Sequence, residues 1–357
     1  MKEINYFSGK LVLCLIMFML LIVSVLPVSA AGNEVEYKWR FGVPWTRKLQ
    51  NESMQLFCDL VKCYSDGRME IKLYPDGVMG THDEIFHSVQ EGSTEIGIFT
   101  AYVNLVPGGV LNGIAWTVQN YNQSAVAFDH DNGIYFKVMS DVWDEVGCHL
   151  LFLGIEGQYG IGNNVRPIKT PDDFQNLKMR VSASLGSVRT LENMGEGTGM
   201  TVTTIPWADL YNALERGVVD GCWSIWSSMV EERHYEVLDY YTALGFLWGT
   251  NYVVVNQEAW DNLPQDLKEV VEKAAKIAEL REYEVHRRAD AEFMKKIAEG
   301  GCEIYYPTKE ELAAFKEASD MPSIWGELYT PYLDKLYPGE NMTQKMLDEL
   351  DRIFKEY

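Results

Sequence analysis

The chain alternates between two periods of hydrophobic residues. Apolar residues recur at every second position over 37–43 and again over 69–73, as they do in half-buried strands. Between these segments, the apolar residues from 49 to 64 follow helical spacing, and a short helical segment at 85–89 precedes a further strand-like run at 95–99. Strands that alternate with helices require a sheet whose two faces are covered. The pattern therefore predicts an α/β fold with a mostly parallel sheet.

The alternation continues and predicts two lobes that share one long helix. Further strands are predicted at 148–155, 158–164, 177–181, 200–205, 218–222 and 251–256. A helical stretch at about 265–298 spans roughly 50 Å at 1.5 Å per residue, which is longer than one lobe of a chain this size. We therefore expect a mostly parallel sheet in each lobe and a long helix that spans both lobes. Lobe I is predicted to comprise 34–157 with 250–288, and lobe II to comprise 158–249 with 289–357.

The first thirty residues have the composition of a secretory signal peptide. Lys2 and Lys10 begin the chain with positive charge, an apolar run covers 11–25, and small residues lie within 27–30. This pattern predicts export to the periplasm with cleavage after Ala30. A single membrane-spanning anchor is the alternative, although the run is short for a spanning helix and ends at a proline.

The chain is strongly acidic, with a formal net charge of −21. Removal of the first thirty residues, which contain two lysines and one glutamate, leaves a net charge of −22. A surface of this charge repels nucleic acid, and no basic stripe in the sequence opposes the repulsion. It also repels anions at long range, so an anionic ligand requires a specific buried arginine to hold it.

The remaining residues carry no recognisable metal-binding or catalytic signature. Five cysteines remain after cleavage without paired spacing, and Cys58 and Cys63 lie five positions apart on a predicted helix, a poor geometry for a disulfide. The six histidines form no cluster, and the sequence contains no phosphate-binding loop, dinucleotide fingerprint, GxSxG or HExxH motif. We therefore expect free or structural thiols, no metal, no cofactor, and a binding function in place of an enzymatic one.

Three sequence motifs occur in a fixed order and spacing. The first is YPDGVMG at 74–80. The second is RPIKTPDDF at 166–174 with LKMRV at 177–181, and the third is IPWADLYNAL at 205–214 with GVVDG at 217–221. Together they resemble the substrate-binding subunits of tripartite ATP-independent periplasmic (TRAP) transporters, and the resemblance extends over almost the whole chain after the signal peptide.

The resemblance implies a two-lobed periplasmic binding protein, usually monomeric, that closes on one small ligand and delivers it to a membrane permease driven by a sodium gradient. In the family, the arginine of the second motif pairs with the ligand carboxylate, and the matching residue is Arg180. A planar guanidinium offers two parallel donors to a carboxylate, which suits this role. The alternative is that Arg180 pairs with an acidic side chain of the protein. The resemblance also places the ring of Trp207 against the ligand, although an aromatic residue after a proline at a helix start more often belongs to a core when the resemblance is set aside.

Other positions are candidate ligand contacts by the same resemblance. Trp223 and Ser224 occupy a segment in which many members carry an asparagine that touches the ligand. Gly160 stands where sialic-acid binders carry a second arginine, so the carboxylate would rest on Arg180 with neutral donors such as Gln158, with Asn163 nearby. The remaining candidates, from loops and crossings that reach the family's cleft, are Trp45, Thr100, Tyr102, Asp209, Phe246 and Trp248.

Several tryptophans at these positions favour a ligand with a ring or a hydrophobic body. We expect a small organic carboxylate of this kind, or a cationic compatible solute such as ectoine, because converging rings can form a cage for either. Two alternatives remain open. One is the ligand-binding component of a sensory system, and the other is a periplasmic enzyme acting on an acidic substrate, with Asp209 or Asp220 transferring protons.

Overall fold

The structure is a computed structural model that describes residues 34–357. The predicted signal peptide, its cleavage after Ala30 and the alternative of an anchor therefore lie outside the described residues. Over 34–357, every helix is too short or too polar to cross a lipid bilayer.

The strands of the described residues form one mixed sheet. Their bounds are β1 Tyr37–Gly42, β2 Met69–Tyr74, β3 Ile96–Phe99, β4 Cys148–Asn163, β5 Lys178–Val181, β6 Thr201–Thr204, β7 Gly221–Ile225, β8 Tyr240–Thr242, β9 Trp248–Asn256 and β10 Glu303–Tyr305. The main path through the sheet has the order β2-β1-β3-β9-β4-β7-β5-β6, and β8 pairs with β4 and with β10.

Both flanks of the sheet are parallel, as the alternation predicted. On one flank β1 pairs in parallel with β2 and β3, and on the other β5 pairs in parallel with β6 and β7. The two central strands differ, because β9 runs antiparallel to both β3 and β4. The two-lobed α/β fold is confirmed, with antiparallel strands joining two parallel flanks.

The helices cover both faces of this sheet. Their bounds are α1 Lys48–Tyr64, α2 His82–Gln90, α3 Tyr121–Ala127, α4 Ile134–Asp144, α5 Leu185–Met194, α6 Leu210–Glu215, α7 Trp226–Glu231, α8 Gln257–Asp261, α9 Gln265–Glu299, α10 Lys309–Ala318, α11 Met321–Ile324, α12 Thr330–Leu336 and α13 Met342–Glu356. The predicted long helix is α9, whose 35 residues span about 50 Å. It packs against α1, β4 and α7, so it contacts elements of both flanks.

Strand β4 passes from one flank of the sheet to the other. Its first part, as far as Gln158, pairs with β9, and its last five residues, from Tyr159 to Asn163, pair with β7. The prediction of two separate strands here was wrong. The pairing is interrupted by register shifts, one of them between Ile155 and Gly157, and Gly157 adopts φ +98°, a conformation open to glycine. The irregularity therefore stays inside one continuous strand.

The C-terminal helices pack against elements of both predicted lobes. The hydroxyl of Tyr332 donates to Glu145 Oε2 over 2.5 Å, and the hydroxyl of Tyr337 donates to Asp141 of α4. These two contacts are with predicted lobe I. From predicted lobe II, Asn193 Nδ2 of α5 donates to the carbonyl of Ser319 over 3.0 Å. The lobe boundaries given above remain a prediction, because this segment joins the two regions.

The five cysteines of the described residues are free thiols. Cys63 is exposed, and the other four are buried. The four buried thiols pack among the hydrophobic side chains of the cores, as cysteines that act as small apolar residues do. Their redox state stays a prediction.

Candidate functional site

A cavity of about 880 Å³ lies at the carboxyl ends of the parallel strands. Its lining residues come from or just after β1, β3, β5 and β6, and ligands of open α/β sheets bind at this edge. Eight of the candidate contacts named from the sequence line it: Trp45, Thr100, Tyr102, Arg180, Trp207, Asp209, Trp223 and Trp248. Segments from both flanks of the sheet therefore meet in one space.

Arg180 is a buried cation of the cavity wall. Its side chain extends from β5, and the residue is only 3% exposed. The Nε and Nη2 atoms both donate to the carbonyl oxygen of Ile205, over 2.9 and 2.7 Å. Within residues 34–357, no carboxylate oxygen lies within 4.0 Å of its guanidinium nitrogens. The alternative in which an acidic side chain of the protein neutralises Arg180 is therefore wrong for the described residues.

Burial without a carboxylate partner destabilises the charged form of Arg180. Desolvation lowers the pKa of its guanidinium from the ordinary value, and the opposing effects of Tyr102, Cys222 and Tyr159 do not outweigh it. An arginine nevertheless keeps its proton at any physiological pH. A buried charge in this state is costly, and an anion entering the cavity would relieve the cost.

The indole of Trp207 lies close to two guanidinium groups. It follows Pro206 in a single helical turn after β6, and Cζ of Arg180 lies 5.5 Å from its ring centroid. Cζ of Arg47 lies 5.2 Å from the same centroid. Behind the indole, the buried ring of His234 packs at 5.2 Å, and its pKa is lowered to about 3 by burial and by the two arginines. The neutral imidazole leaves the positive charge of this wall to the arginines.

Arg47 is a site residue that the sequence reasoning missed. It is 6% exposed, and its Nη1 donates to Glu156 Oε1 of β4 and, over 3.3 Å, to Asn251 Oδ1. Its Nε lies 3.9 Å from Glu232 Oε1. Burial lowers the pKa of this guanidinium, but the carboxylates of Glu156 and Glu232 outweigh that effect and raise it. Its position two residues after Trp45, in a loop already assigned to the cleft, was the available signal.

A chain of hydrogen bonds holds the wall next to β1 in place. Trp45 Nε1 donates to Gln50 Oε1 over 2.6 Å, and Gln50 Nε2 donates to Asn251 Oδ1 over 3.2 Å. Asn251 Nδ2 then donates to Thr100 Oγ1 over 3.0 Å. These bonds link the loop after β1, helix α1, β9 and the end of β3, so they fix the position of the Trp45 ring.

The first motif builds one edge of the cavity. Gly77 and Gly80 line it and adopt φ +66° and +120°, and a Cβ on Gly80 would lie 2.8 Å from Glu84 Oε2. Thr81 then caps α2 in a reciprocal pair with Glu84. Next to it, His82 Nε2 lies 3.1 Å from the carbonyl oxygen of Thr100. The motif therefore shapes the cavity through a turn that only glycine fits.

Two tryptophans of the wall have indole N–H groups without partners. Trp223 and Trp248 are each 3% exposed, and neither Nε1 has a hydrogen-bond acceptor within the described part of the chain. Trp223 packs edge-on against Phe246 at 4.7 Å, and Trp248 packs edge-on against Tyr121 at 4.8 Å. Buried donors are normally paired, so these two groups are notable features of the wall.

Three other candidate contacts lie outside the cavity wall. Ser224 follows Trp223 on β7, and successive side chains of a strand project to opposite faces, so only one of the two lines the cavity. Phe246 is fully buried between Trp116 and Trp223. Gln158 donates its side-chain amide to the carbonyl of Gln119 and so serves the packing of β4.

Two residues mentioned as further possibilities have structural contacts. The Oδ1 of Asn163 accepts hydrogen bonds from the backbone N–H groups of Val165 and Arg166 over 2.9 and 3.0 Å, which stabilises a turn. The carboxylate of Asp220 accepts from the backbone N–H of Lys178 over 2.8 Å and lies 3.4 Å from its ammonium group. Neither residue lines the cavity.

Comparison with known proteins places the chain among bacterial binding proteins. A family model described as "Bacterial extracellular solute-binding protein, family 7" matches residues 43–329. The chain is 25% identical over 287 residues to the C4-dicarboxylate-binding periplasmic protein DctP of Rhodobacter capsulatus, covering 78% of this chain and 80% of that protein. It is 23% identical over 291 residues to the ectoine-binding periplasmic protein TeaA of Halomonas elongata, covering 78% of this chain and 81% of that protein.

A solved structure has the same fold. The chain is similar to a TRAP periplasmic solute binding protein from Desulfovibrio salexigens with bound orotic acid, with a TM-score of 0.78 and 20% identity. The match covers 89% of this chain and 99% of that one. At this level of identity, the likeness supports the fold and leaves the ligand to be argued from the residues of the cavity.

Proposed function

The chain belongs to family 7 of the bacterial extracellular solute-binding proteins, the TRAP substrate-binding subunits that its motifs resemble, and we propose that it captures a small organic carboxylate. Proteins of this kind bind small organic acids and other solutes and work with TRAP membrane components. In our proposal Arg180 holds the ligand carboxylate, the aromatic wall holds its body, and the loaded protein docks on a TRAP permease in the periplasm. Cleavage after Ala30 and a monomeric state are parts of the same proposal.

The buried guanidinium of Arg180, which has no carboxylate partner within residues 34–357, is the observation that carries this proposal. It lines a cavity of about 880 Å³, a volume in the range of small-molecule sites. Its bonds to Ile205 hold the group in one orientation before any ligand arrives. A carboxylate that pairs with it gains charge-assisted hydrogen bonds without the cost of ordering the side chain.

The aromatic residues of the wall support a ligand with a ring or hydrophobic body. Trp45, Trp207, Trp223 and Trp248 all line the cavity. The indole N–H groups of Trp223 and Trp248, which have no acceptor among the described residues, would suit polar acceptors on such a body. The Desulfovibrio salexigens protein carries orotic acid, which combines a ring with a carboxylate, and TeaA is named for ectoine binding. Both chemistries fit the proposed class.

Closure of the two lobes is the proposed mechanism of capture. The end of the loop after β1 and the start of α1 already contact α7 and the residue that follows it. The backbone N–H of Leu49 donates to Glu231 Oε1 over 3.2 Å, and Nε of Arg47 lies 3.9 Å from Glu232 Oε1. Arg47 also lies over Trp207. A ligand stabilises this closed arrangement only through contacts that an open cleft lacks, and contacts to Trp45 and Trp207 at once are of that kind.

A screen of small carboxylates tests the proposal. We expect a true ligand to raise the melting temperature of the purified protein in proportion to the logarithm of its concentration, with about 2.7 kcal/mol of added stability at a hundredfold excess over Kd. The panel should include orotate, ectoine, aliphatic monocarboxylates and dicarboxylates, together with mass spectrometry of whatever co-purifies. Absence of any shift with every acid, or turnover of a bound acid, would count against the proposal. Genes for permease subunits beside this one would distinguish transport from sensing.

The indole of Trp207 should contribute to affinity through its face. We expect Trp207→Ala to weaken binding of the ligand on the order of 10-fold, because a ring next to both guanidinium groups is lost, and Trp207→Phe to retain most of the affinity. Isothermal calorimetry measures both. Trp260→Phe is a matched control, since that indole stacks on His149 at 4.3 Å away from the cavity. Equal affinities for all three variants would contradict the assignment.

A further inference from the structure

The walls of the cavity contain more carboxylates than guanidinium groups. Within residues 34–357, the acidic residues that line it are Asp83, Glu84, Glu156 and Asp209, and the arginines are Arg47 and Arg180. Glu156 differs from the other three acids, because it is 5% exposed and its carboxylate contacts Arg47 directly.

The charge of Arg47 is therefore already matched inside the wall. Its Nη1 donates to Glu156 Oε1, while the other carboxylate oxygen, Oε2, accepts from the hydroxyl of Tyr159 over 3.4 Å. Glu232 adds a second, more distant carboxylate at 3.9 Å. Of the two arginines in the wall, only Arg180 lacks a carboxylate within 4.0 Å among the described residues.

The two guanidinium groups lie around the same indole. Cζ of Arg47 and Cζ of Arg180 each lie within 5.5 Å of the ring centroid of Trp207, and Glu156 lines the same cavity. A ligand that extends from Arg180 past this ring therefore approaches Arg47 and the carboxylate that neutralises it. A second carboxylate on the ligand would meet Glu156 there. Like charges brought together in a buried site repel each other, while a neutral group at the same place meets no such repulsion.

We propose that Glu156 sets the charge of the ligand. By neutralising Arg47, it leaves Arg180 as the cation that recognises a carboxylate, so that the site binds monocarboxylates and rejects dicarboxylates of the same shape. This inference rests on the proposed function, since it specifies which acids the same cavity selects. It makes Glu156 a specificity-determining residue.

Matched pairs of acids test the selection on the unmodified protein. Succinate and succinamate differ only by the exchange of one carboxylate for an amide, and terephthalate and 4-carbamoylbenzoate form the corresponding aromatic pair. At a pH near 7.5, we expect the amide member to bind on the order of 10-fold more tightly than the dicarboxylate. Isothermal calorimetry and thermal shift measure this ratio without any substitution.

Substitution of Glu156 should reverse the preference. Glu156→Gln keeps an oxygen for Arg47 but removes the negative charge, so Arg47 becomes available to a second carboxylate and the affinity for the dicarboxylate should rise on the order of 10-fold. The double variant Arg47→Gln with Glu156→Gln removes both charges, and it should bind the amides and still reject the dicarboxylates. Glu279→Gln is a matched control, because Glu279 is also a buried glutamate, 6% exposed, and lies outside the cavity.

The outcomes separate the inference from the proposed function. Two results overturn the inference while the proposed function stands. One is equal or tighter binding of the dicarboxylates by the unmodified protein. The other is a folded Glu156→Gln variant whose ratio of amide to dicarboxylate affinity is unchanged. If neither pair binds, the ligand that the wider screen finds decides. A ligand with two carboxylates overturns the inference, and a ligand with one carboxylate supports it. Failure of every acid in the screen overturns the proposed function itself. If Glu156→Gln does not fold, the preference of the unmodified protein and the double variant still decide.

Discussion

Replacing Arg180 with alanine is expected to cost about 2–5 kcal/mol of binding free energy for the carboxylate ligand, which is a loss of roughly 30-fold to several-thousand-fold in Kd. The guanidinium lies in the wall of the cavity with two donors fixed on the carbonyl of Ile205 and no carboxylate partner among the described residues. Without it, the ligand carboxylate is buried in the cavity with no other free cation among the described residues of the wall to receive it. Isothermal calorimetry with the ligand from the screen measures the loss.

Two further arginine variants distinguish recognition from packing. Arg180→Lys keeps the positive charge but loses the planar, two-pronged donor set, so an intermediate affinity is expected. Arg166→Ala is the matched control, because this guanidinium also donates to backbone carbonyls, those of Asp173 and Gln175, away from the cavity. The melting temperature of each variant shows whether the fold is intact. Undiminished binding by a folded Arg180→Ala protein would refute the assigned role.

Replacing Glu282 with glutamine is expected to stabilise the protein at alkaline pH. Glu282 lies on α9 and is fully buried, and neither carboxylate oxygen makes a hydrogen bond of normal geometry within residues 34–357. Burial raises the pKa of its carboxyl from 4.5 to about 8, and weaker interactions with the nearby polar groups of Ser53 and Gln50 offset only part of this effect. Glu279, one turn earlier on the helix, is raised to about 8 by burial as well.

The direction of the effect follows from the proton that Glu282 binds. The folded state holds this proton more tightly than the unfolded state, so raising the pH from 4.5 to 8 lowers the free energy of unfolding. One pKa unit corresponds to about 1.4 kcal/mol, so the total is on the order of several kcal/mol. Glutamine has no proton to lose. The melting temperature of Glu282→Gln should therefore exceed that of the parent protein near pH 9, and the difference should shrink near pH 5.

A neighbouring histidine titrates in the opposite sense and must be separated from this effect. His286 Nε2 lies 3.8 Å from Glu282 Oε2, and burial lowers the pKa of its imidazole from 6.5 to about 4. Its stabilising contribution is therefore lost as the pH falls from 6.5 to 4, and it is shared by variant and parent, so it largely cancels in their difference. Glu284→Gln on the exposed side of the same helix is the control and should show no comparable shift. A difference that is the same at both pH values would contradict a buried, protonated Glu282.

The pattern of the sequence alone determined the elements and the family. Hydrophobic periods of two and 3.6 residues are local properties, so the parallel flanks, the helices and the long α9 could be predicted from neighbouring residues. The motifs indicated the second-lobe arginine and tryptophan in the same way, and the structure places Arg180 and Trp207 in the cavity wall. The same local evidence failed at β4, where two strands separated near Gly157 were predicted. In the structure this glycine and its register shift lie inside one continuous strand.

The tertiary structure decided how charges meet inside the cavity. The buried pair of Arg47 and Glu156 joins residues 109 positions apart in the sequence. Arg47 and Arg180 lie against the same indole, that of Trp207, because segments from both flanks of the sheet meet there. The place of Trp223 in the wall, with Ser224 outside it, depends on which face of β7 meets the cavity. A local period reports whether a residue is buried, but the order of strands and the packing of the lobes determine which distant side chains face each other. That arrangement converts two arginines into one paired and one available cation.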